Sequence, residues 1–361
     1  MRLDSRRQLL KHVGTGTAFA LLSRGVRGDA GEGGGKPIRI GQIGVGHGHA
    51  TKLSVYRESP DYEVVGIVEP DAELRKRAES QAVFRDLPWM TQEQLLDQTG
   101  LQAVLVETHI CDSLDAAEAC VAAGKHVHLD KPAGESLPHY QRILEEAARR
   151  QLMVQMGYMY RYNPAVVLLR KYLHDGWLGD VFEVHAVMSK VVGPEDRRQL
   201  ARYPGGMMFE LGCHLLDIVI KILGAPSEVT GFARHSAEID DSLLDNMLAV
   251  LSYPRALATV KTTAIEVQGG ERRHLVVCGT EGTFHIQPLD NPSVRLTLAK
   301  PRGDFRAGTH EIAMPRYVRY VDDAVDMARV IRGEKPTDFP YEHDLQVQRT
   351  LLQACRLPLA P

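Results

Sequence analysis

Ile38-Arg39-Ile40-Gly41-Gln42-Ile43-Gly44-Val45-Gly46-His47-Gly48-His49 is a short β-rich run that stops in a glycine-dense turn, and residues 50–57 behind it carry a helical pattern. Strand, turn and helix in that order put Gly44 at a tight turn and Gly46 where backbone must approach a ligand closely. The unpaired N–H groups of the helix start then face negative charge, the arrangement that holds a pyrophosphate. The third position of the G-x-G-x-x-G pattern is His49 instead of a small residue, and Gly48 one residue earlier can absorb the change. His47 or His49 is placed to donate to a phosphate; the alternative is a polar helix start facing solvent.

The next strand, 63–68, ends at Glu69, a little over twenty residues past the glycines. An acidic residue there accepts from adenosine ribose hydroxyls and repels a 2′-phosphate, so the expected cofactor is NAD in preference to NADP. Asp71 beside it reads as the N-cap of a helix through Arg77. Alternation continues with a helix at 92–97 opened by a Thr91/Gln94 capping box, a strand at 102–107, a helix at 113–123, a strand at 126–129, a helix at 138–151 and a strand at 153–157. Such alternation predicts a doubly wound parallel sheet, a Rossmann domain, with ligands at the carboxyl ends of the strands, where Thr108 and Asp130-Lys131-Pro132 fall.

After about residue 160 the pattern turns β-rich, with runs at 181–189, 227–233, 246–252, 256–264, 273–278, 282–286 and 294–298 joined through Pro or Gly turns. Those turns suit antiparallel neighbours and predict an open, mainly antiparallel sheet. Two helices are expected at 316–332 and 344–355, packing back on the nucleotide domain, and 191–203 reads as a substrate loop. The resulting division is 1–35 as leader and linker, 36–158 as the NAD-binding domain and 159–361 as the substrate domain, to which the family resemblance given below adds an oligomerisation role.

Ser5-Arg6-Arg7-Gln8-Leu9-Leu10-Lys11 resembles a twin-arginine export signal, and the weakly apolar stretch that follows is too short to span a bilayer. Export to the periplasm is expected, with a basic tail on a cytoplasmic enzyme as the alternative. The 361 residues carry a formal net charge of −3, which offers no electrostatic attraction for nucleic acid. The five cysteines are scattered without a C-x-x-C pair and read as small apolar residues, so no metal site is expected.

Ala123-Gly124-Lys125-His126-Val127-His128-Leu129-Asp130-Lys131-Pro132 resembles the A-G-K-H-V-x-x-E-K-P signature of the Gfo/Idh/MocA family, with Asp130 in place of Glu. Tyr160-Arg161-Tyr162-Asn163-Pro164 is similar to its Y-R-x-x-P region, and Gly176-Trp177-Leu178-Gly179 to its G-x-(I/L)-G turn. The stretch from Gly205-Gly206 through Glu210 and His214 to Asp217 is similar to its G-G-x-x-x-D-x-G-x-H-x-x-D helix, with Glu210 in place of Asp. The resemblance implies that Lys131 lies beside the nicotinamide and the substrate hydroxyl, that Glu210 and His214 enter the catalytic pocket, and that one sheet face makes a subunit contact in a homodimer or homotetramer. The family's T-P-x-x-x-H stretch is altered here to Thr108-His109-Ile110-Cys111-Asp112-Ser113.

The residues themselves fit that chemistry. Oxidising a secondary alcohol sends a hydride to the nicotinamide while a base removes the hydroxyl proton, and a His or a Lys of depressed pKa suits that near neutral pH. His214 is expected as acid/base, Lys131 as the group that polarises the reacting oxygen and shares the proton, and Glu210, four residues before His214, as a positioner of substrate or imidazole. The cofactor set is Gly44, Gly46, His47, Gly48, Glu69, Thr108, Asp130 and Lys131. Arg161 is expected to reach a substrate oxygen or neighbouring carboxylates. The expected reaction is hydride transfer between NAD and a secondary alcohol or ketone of a sugar, polyol or glycoside. Redox-assisted glycoside cleavage without net oxidation is the alternative, and a non-catalytic sugar sensor is a third reading.

Overall fold

A computed structural model describes residues 36–360, so the twin-arginine leader expected at the N-terminus lies outside the described residues. The first half runs β1 (Ile38–Ile43), α1 (Leu53–Glu58), β2 (Tyr62–Val68), α2 (Ala72–Glu79), α3 (Gln92–Leu96), β3 (Leu101–Val106), α4 (Ser113–Ala122), β4 (His126–Leu129), α5 (Leu137–Arg149) and β5 (Val154–Met156). Its five strands form a parallel sheet in the order β2-β1-β3-β4-β5. The chain leaves β1 toward β2 on one side and returns to β3 on the other, which opens a crevice at the carboxyl ends of β1 and β3. Local chemistry sets the helix starts: Asp71 accepts from the N–H groups of Glu73 and Leu74, and Thr91 and Gln94 close a reciprocal capping box.

The two faces of this sheet differ in a way that matters for the site. Val104, Val106, Val127 and Leu129 point into one apolar core. Ile38, Ile40, Ala103 and Leu105 point into another, against Leu53 and Tyr56 of α1. Period-two alternation carries this second face on to Gln42, Glu107, His128, Asp130 and Gln155, all buried. Apolar packing therefore gives way to a buried polar layer at the carboxyl end of the strands.

The second half contains α6 (Pro164–His174), β6 (Val181–Ser189), α7 (Pro194–Leu200), a π-helical turn (Met208–Gly212) that runs straight into α8 (Cys213–Leu223), β7 (Glu228–Arg234), β8 (Asn246–Ser252), β9 (Leu257–Thr263), β10 (His274–Gly279), β11 (Gly282–Ile286), β12 (Val294–Leu298), β13 (Gly308–Ile312), α9 (Val321–Ile331) and α10 (Tyr341–Ala354). Its eight strands lie in the order β13-β12-β11-β10-β6-β9-β8-β7. Every neighbour is antiparallel except the β6–β9 pair. One face packs on α8 and α10; a Cβ at Gly231 of β7 would lie 2.1 Å from the carbonyl oxygen of Ala354, so α10 rests directly on the strand. The last helices also tie back to the first half, through Tyr62 Oη to Ala324 O at 2.6 Å and Tyr341 Oη to Leu152 O at 2.6 Å.

Two elements differ from the sequence expectation. Residues 194–200 fold as α7 instead of a loop: Pro194 opens the helix, Glu195 and Asp196 occupy its first turn, and buried Arg197 anchors it on Asp241 and Asp245. β13 was not anticipated, since its sequence Gly-Thr-His-Glu-Ile lacks an apolar run and depends on pairing with β12. The five cysteines are unbridged.

Candidate active site

The crevice at the end of the parallel sheet opens into a cleft of about 680 Å³, including its mouth, lined from one side by Gly46–His49 and Lys131 and from the other by Lys190, Gln199, Tyr203 and Glu210. The glycine turn is shaped for close approach. Gly44 has φ +89°, and a Cβ there would lie 2.5 Å from the backbone nitrogen of Thr108. A Cβ at Gly48 would meet nothing within 4 Å, and one at Gly46 would touch the His109 ring at 3.0 Å. Glu69 stands at the end of β2 with Oε2 accepting the Val45 N–H at 2.9 Å, which joins the acidic residue to the turn. The turn, the open glycine and the acid at the second strand end fit a dinucleotide. Thr108 lies at the same edge, its hydroxyl donating to His109 O at 3.0 Å.

Lys131 is 1% exposed, and its Nζ donates to Glu210 Oε2 at 2.9 Å and to the Glu210 carbonyl at 2.8 Å. Burial disfavours its charge, but the Glu210 carboxylate outweighs that and raises the pKa above the ordinary lysine value. The expectation of a lysine with a depressed pKa that shares a proton is therefore corrected: Lys131 is a fixed ammonium. Lys190, which the sequence did not single out, donates to Glu210 Oε1 at 3.0 Å. Burial works to raise the Glu210 pKa, yet the two ammonium groups hold it well below the usual carboxylate range.

The expected Glu210–His214 pairing is also corrected. Glu210 sits in the π-helical turn, where the wider i→i+5 bonding lets its carbonyl as well as its carboxylate face Lys131. His214 starts α8, is 1% exposed, and leaves Nδ1 without a hydrogen-bond partner. Its ring lies among Tyr158, Tyr160 and His49, with centroids 6.1, 5.9 and 6.2 Å away. Burial and the nearby Lys131 ammonium push its pKa well below the ordinary histidine value, so the imidazole is neutral.

Asp130, expected among the cofactor ligands, is the hub of the buried polar layer. It accepts from Lys52 Nζ at 2.7 Å and from the Lys131 N–H at 2.7 Å, and lies 3.0 Å from His47 Nδ1 and 3.2 Å from His49 Nδ1. Burial favours its neutral form, but His47, Lys52 and His49 together hold its pKa far below the carboxylate norm. His47 also meets the Lys131 carbonyl through Nε2 at 3.1 Å, so both of its ring nitrogens are engaged and the expected phosphate contact is not available to it. Lys52 extends the chain to His128 Nε2 at 3.0 Å, and His128 Nδ1 meets Gln155 Oε1 at 2.9 Å. Lys52 Nζ further lies 3.0 Å from Glu107 Oε1, whose carboxyl is pushed up by burial and by Asp130. His47, His49 and Asp130 bring donor atoms within 4.8 Å of one another, but the Lys52 ammonium already supplies the positive charge on that carboxylate. Lys52, Glu107, His128 and Gln155 escaped sequence reasoning; polar residues at the buried phase of apolar strands were the signal that marked the last three.

Arg161 does not reach the cleft. It is buried at the foot of α6, with Nε and Nη2 on Asp217 at 3.1 and 2.7 Å and Nη2 on Asp344. Both carboxylates come from helices of the second half, so Arg161 joins α8 to α10: of its two expected partners it holds the neighbouring carboxylates, and its assignment as a substrate ligand is corrected.

Residues 38–158 match the family model described as an oxidoreductase family with an NAD-binding Rossmann fold, and residues 166–285 match the one described as the GFO/IDH/MocA C-terminal domain. The trans-1,2-dihydrobenzene-1,2-diol dehydrogenase of Bos taurus is 26% identical over 231 residues, 63% of this chain and 66% of that protein, so the chain spans about two thirds of its length. The myo-inositol 2-dehydrogenase of Thermotoga maritima is 24% identical over 270 residues, 72% of this chain and 78% of that protein. Among solved structures, GenD2 from gentamicin A biosynthesis in complex with NAD superposes with a TM-score of 0.74 at 19% identity, covering 89% of this chain and 94% of that one. UDP-N-acetylglucosamine 3-dehydrogenase GnnA from Acidithiobacillus ferrooxidans gives 0.72 at 18%, covering 90% and 98%. At these identities the two structures share the fold.

Proposed function

The chain belongs to the Gfo/Idh/MocA family of NAD-binding oxidoreductases, and from that membership we propose that it moves a hydride between NAD and a secondary alcohol or ketone of a sugar, polyol or glycoside. The observation that carries this reading is the Lys131 ammonium, fixed by Glu210 at the edge of the cleft with the neutral His214 imidazole behind it. Bound NAD supplies the hydride acceptor; the chain's own groups do the rest. Lys131 donates to the reacting oxygen and stabilises the charge that grows on it as the hydroxyl proton leaves. Glu210, anchored in turn by Lys190, holds that ammonium in place, and a neutral imidazole takes the proton. Glu69 favours NAD over NADP. The dehydrogenases of dihydrodiols and inositols among the relatives support a vicinal diol or polyol as the substrate class.

A second reading, redox-assisted glycoside cleavage, is favoured by one further observation. Two imidazoles held neutral by burial stand close together, His49 in the cleft wall and His214 buried behind it, with ring centroids 6.2 Å apart. Oxidation uses one proton acceptor; removing a proton from the carbon beside the new carbonyl uses a second. Sugars, cyclitols and glycosides offered to NAD-loaded protein distinguish the readings. NADH absorbance that rises with substrate supports the dehydrogenase, and product formation without it supports cleavage; neither from any of the three classes would sink both.

A further inference from the structure

His49 occupies the place where the dinucleotide turn ordinarily carries a small residue, and its bonding fixes its tautomer. Nδ1 lies 3.3 and 3.2 Å from the two oxygens of Asp130, which can only accept, so Nδ1 carries the hydrogen. Nε2 then holds a lone pair; it has no hydrogen-bond partner among the described residues, and His49 lines the cleft beside Lys131 and Glu210. A nitrogen with a lone pair cannot donate to a phosphate, so the sequence expectation for His49 fails on geometry. What remains is an imidazole oriented by a buried carboxylate and set in the cleft wall, with its second nitrogen free to accept.

We propose that His49 is a catalytic acid–base residue of this cleft, accepting and returning the substrate proton at Nε2 while Asp130 holds Nδ1–H. The proposal rests on the hydride-transfer reading above. The carbinol carbon passes its hydrogen with the electron pair to the nicotinamide ring, the C–O bond becomes C=O, and the hydroxyl proton moves to His49 Nε2. The imidazolium that results stands on Asp130; reduction returns the same proton.

The neighbouring charges favour His49 over His214 for this task. Protonating His214 places a second cation beside Lys131 with Nδ1 unpartnered, whereas protonating His49 completes an ion pair. The groups facing His49 are Asp130 on one side, His47, Lys131 and His214 on others, and the Tyr320 ring with its centroid 5.6 Å away. Burial drives its pKa down to about 4 although Asp130 opposes this, so the ring is neutral and ready to accept near neutral pH.

The first test needs no substrate. Nitrogen-15 NMR of full-length protein, with His49 assigned by comparison with H49N, is expected to show Nδ1 protonated and Nε2 bare from pH 8 to 5.5, with and without saturating NAD+. A ring protonated at Nε2, or one that becomes so on adding NAD+, overturns the proposal. The second test uses H49N, whose amide keeps the donor to Asp130 and lacks the distal lone pair, and H49Q as a second folded variant. NAD+ affinity is expected to stay within about threefold of wild type by calorimetry; a loss beyond tenfold makes His49 a cofactor ligand and overturns the proposal. On whichever polyol or glycoside the wild type converts, H49N is expected to lose at least a hundredfold in kcat, and added imidazole to restore activity to His49→Gly. Unchanged kcat overturns the role of His49 alone, whereas a wild type that converts nothing defeats the hydride-transfer reading and leaves the NMR result to decide the proton's place.

Discussion

Lys131 shows how one residue's role is set by its partners. Its ammonium has two oxygens of Glu210 within 2.9 Å, and that is why it stays charged despite full burial. Lys131→Met keeps the stem and removes the charge, so kcat is expected to fall by about a hundredfold or more with little change in NAD+ affinity, the scale seen when one oxyanion donor is lost. Stopped-flow rates and NAD+ titration check this. Arg161 gives the opposite pattern: Arg161→Ala leaves Asp217 and Asp344 buried together, and stability is expected to drop by about 3–5 kcal/mol in urea melts. Loss of turnover at unchanged stability would restore it as a substrate ligand. Asp323 on α9 is 2% exposed, and burial pushes its carboxyl up to about 7. Its folded pKa lies above the unfolded one, so the folded state binds the extra proton. The stability this gives is complete below about pH 4 and is lost as pH rises through 7. Buried His128, pushed down to about 3, works in the other sense, losing stability as pH falls below about 6.5. The useful measurement is therefore a difference: between pH 5 and 8 the Tm of Asp323→Asn, relative to wild type, is expected to rise.

At the scale of elements, the glycine turn and the π-helical turn place the chemistry. Gly44 at φ +89° packs against Thr108 so closely that Gly44→Ala adds both backbone strain and a 2.5 Å contact. A cost of about 1–3 kcal/mol is expected, with loss of NAD+ binding, read by thermal melts and calorimetry. Wild-type affinity in that variant would mean that the turn does not hold the cofactor. Strands, alternation and caps were legible because they depend on residues a few positions apart: the Thr91/Gln94 box and the Asp71 cap form where the spacing puts them. The π-helical turn was not, since Met208–Gly212 differs from an ordinary helix only in what its neighbours offer its carbonyls. α7 was missed for a related reason: Arg197 needs Asp241 and Asp245, more than forty residues away, to bury its charge.

Over the whole molecule, one face of the eight-stranded sheet is left uncovered by the described residues. Phe232 on β7 and Leu257 on β9 are 46% and 56% exposed there. A homodimer or homotetramer through this face is expected, and light scattering on Phe232→Glu/Leu257→Glu should show the smaller species; a wild type that is monomeric at micromolar concentration would refute it. No helix among the described residues is long and apolar enough to cross a membrane. If the twin-arginine leader exports the folded protein, NAD is expected to travel bound and exchange slowly. Periplasmic protein extracted without nucleotide, and binding NAD only at millimolar concentration, would contradict that.

Alone, the sequence determined the two-sheet plan and the cofactor turn, because period-two and helical patterns, glycine spacing and an acid at the second strand end are local facts about the chain. Family resemblance pointed to Lys131 and Glu210, which line one cleft, and to His214, which lies buried behind it. Which group pairs with which was decided only by tertiary structure. Charge, burial and hydrogen-bond direction depend on residues brought together from distant positions, such as Lys52 with Asp130 and Lys131 with Glu210. That is why the carboxylate beside His214 holds a lysine, and why the histidine in the glycine turn faces the cleft with a lone pair.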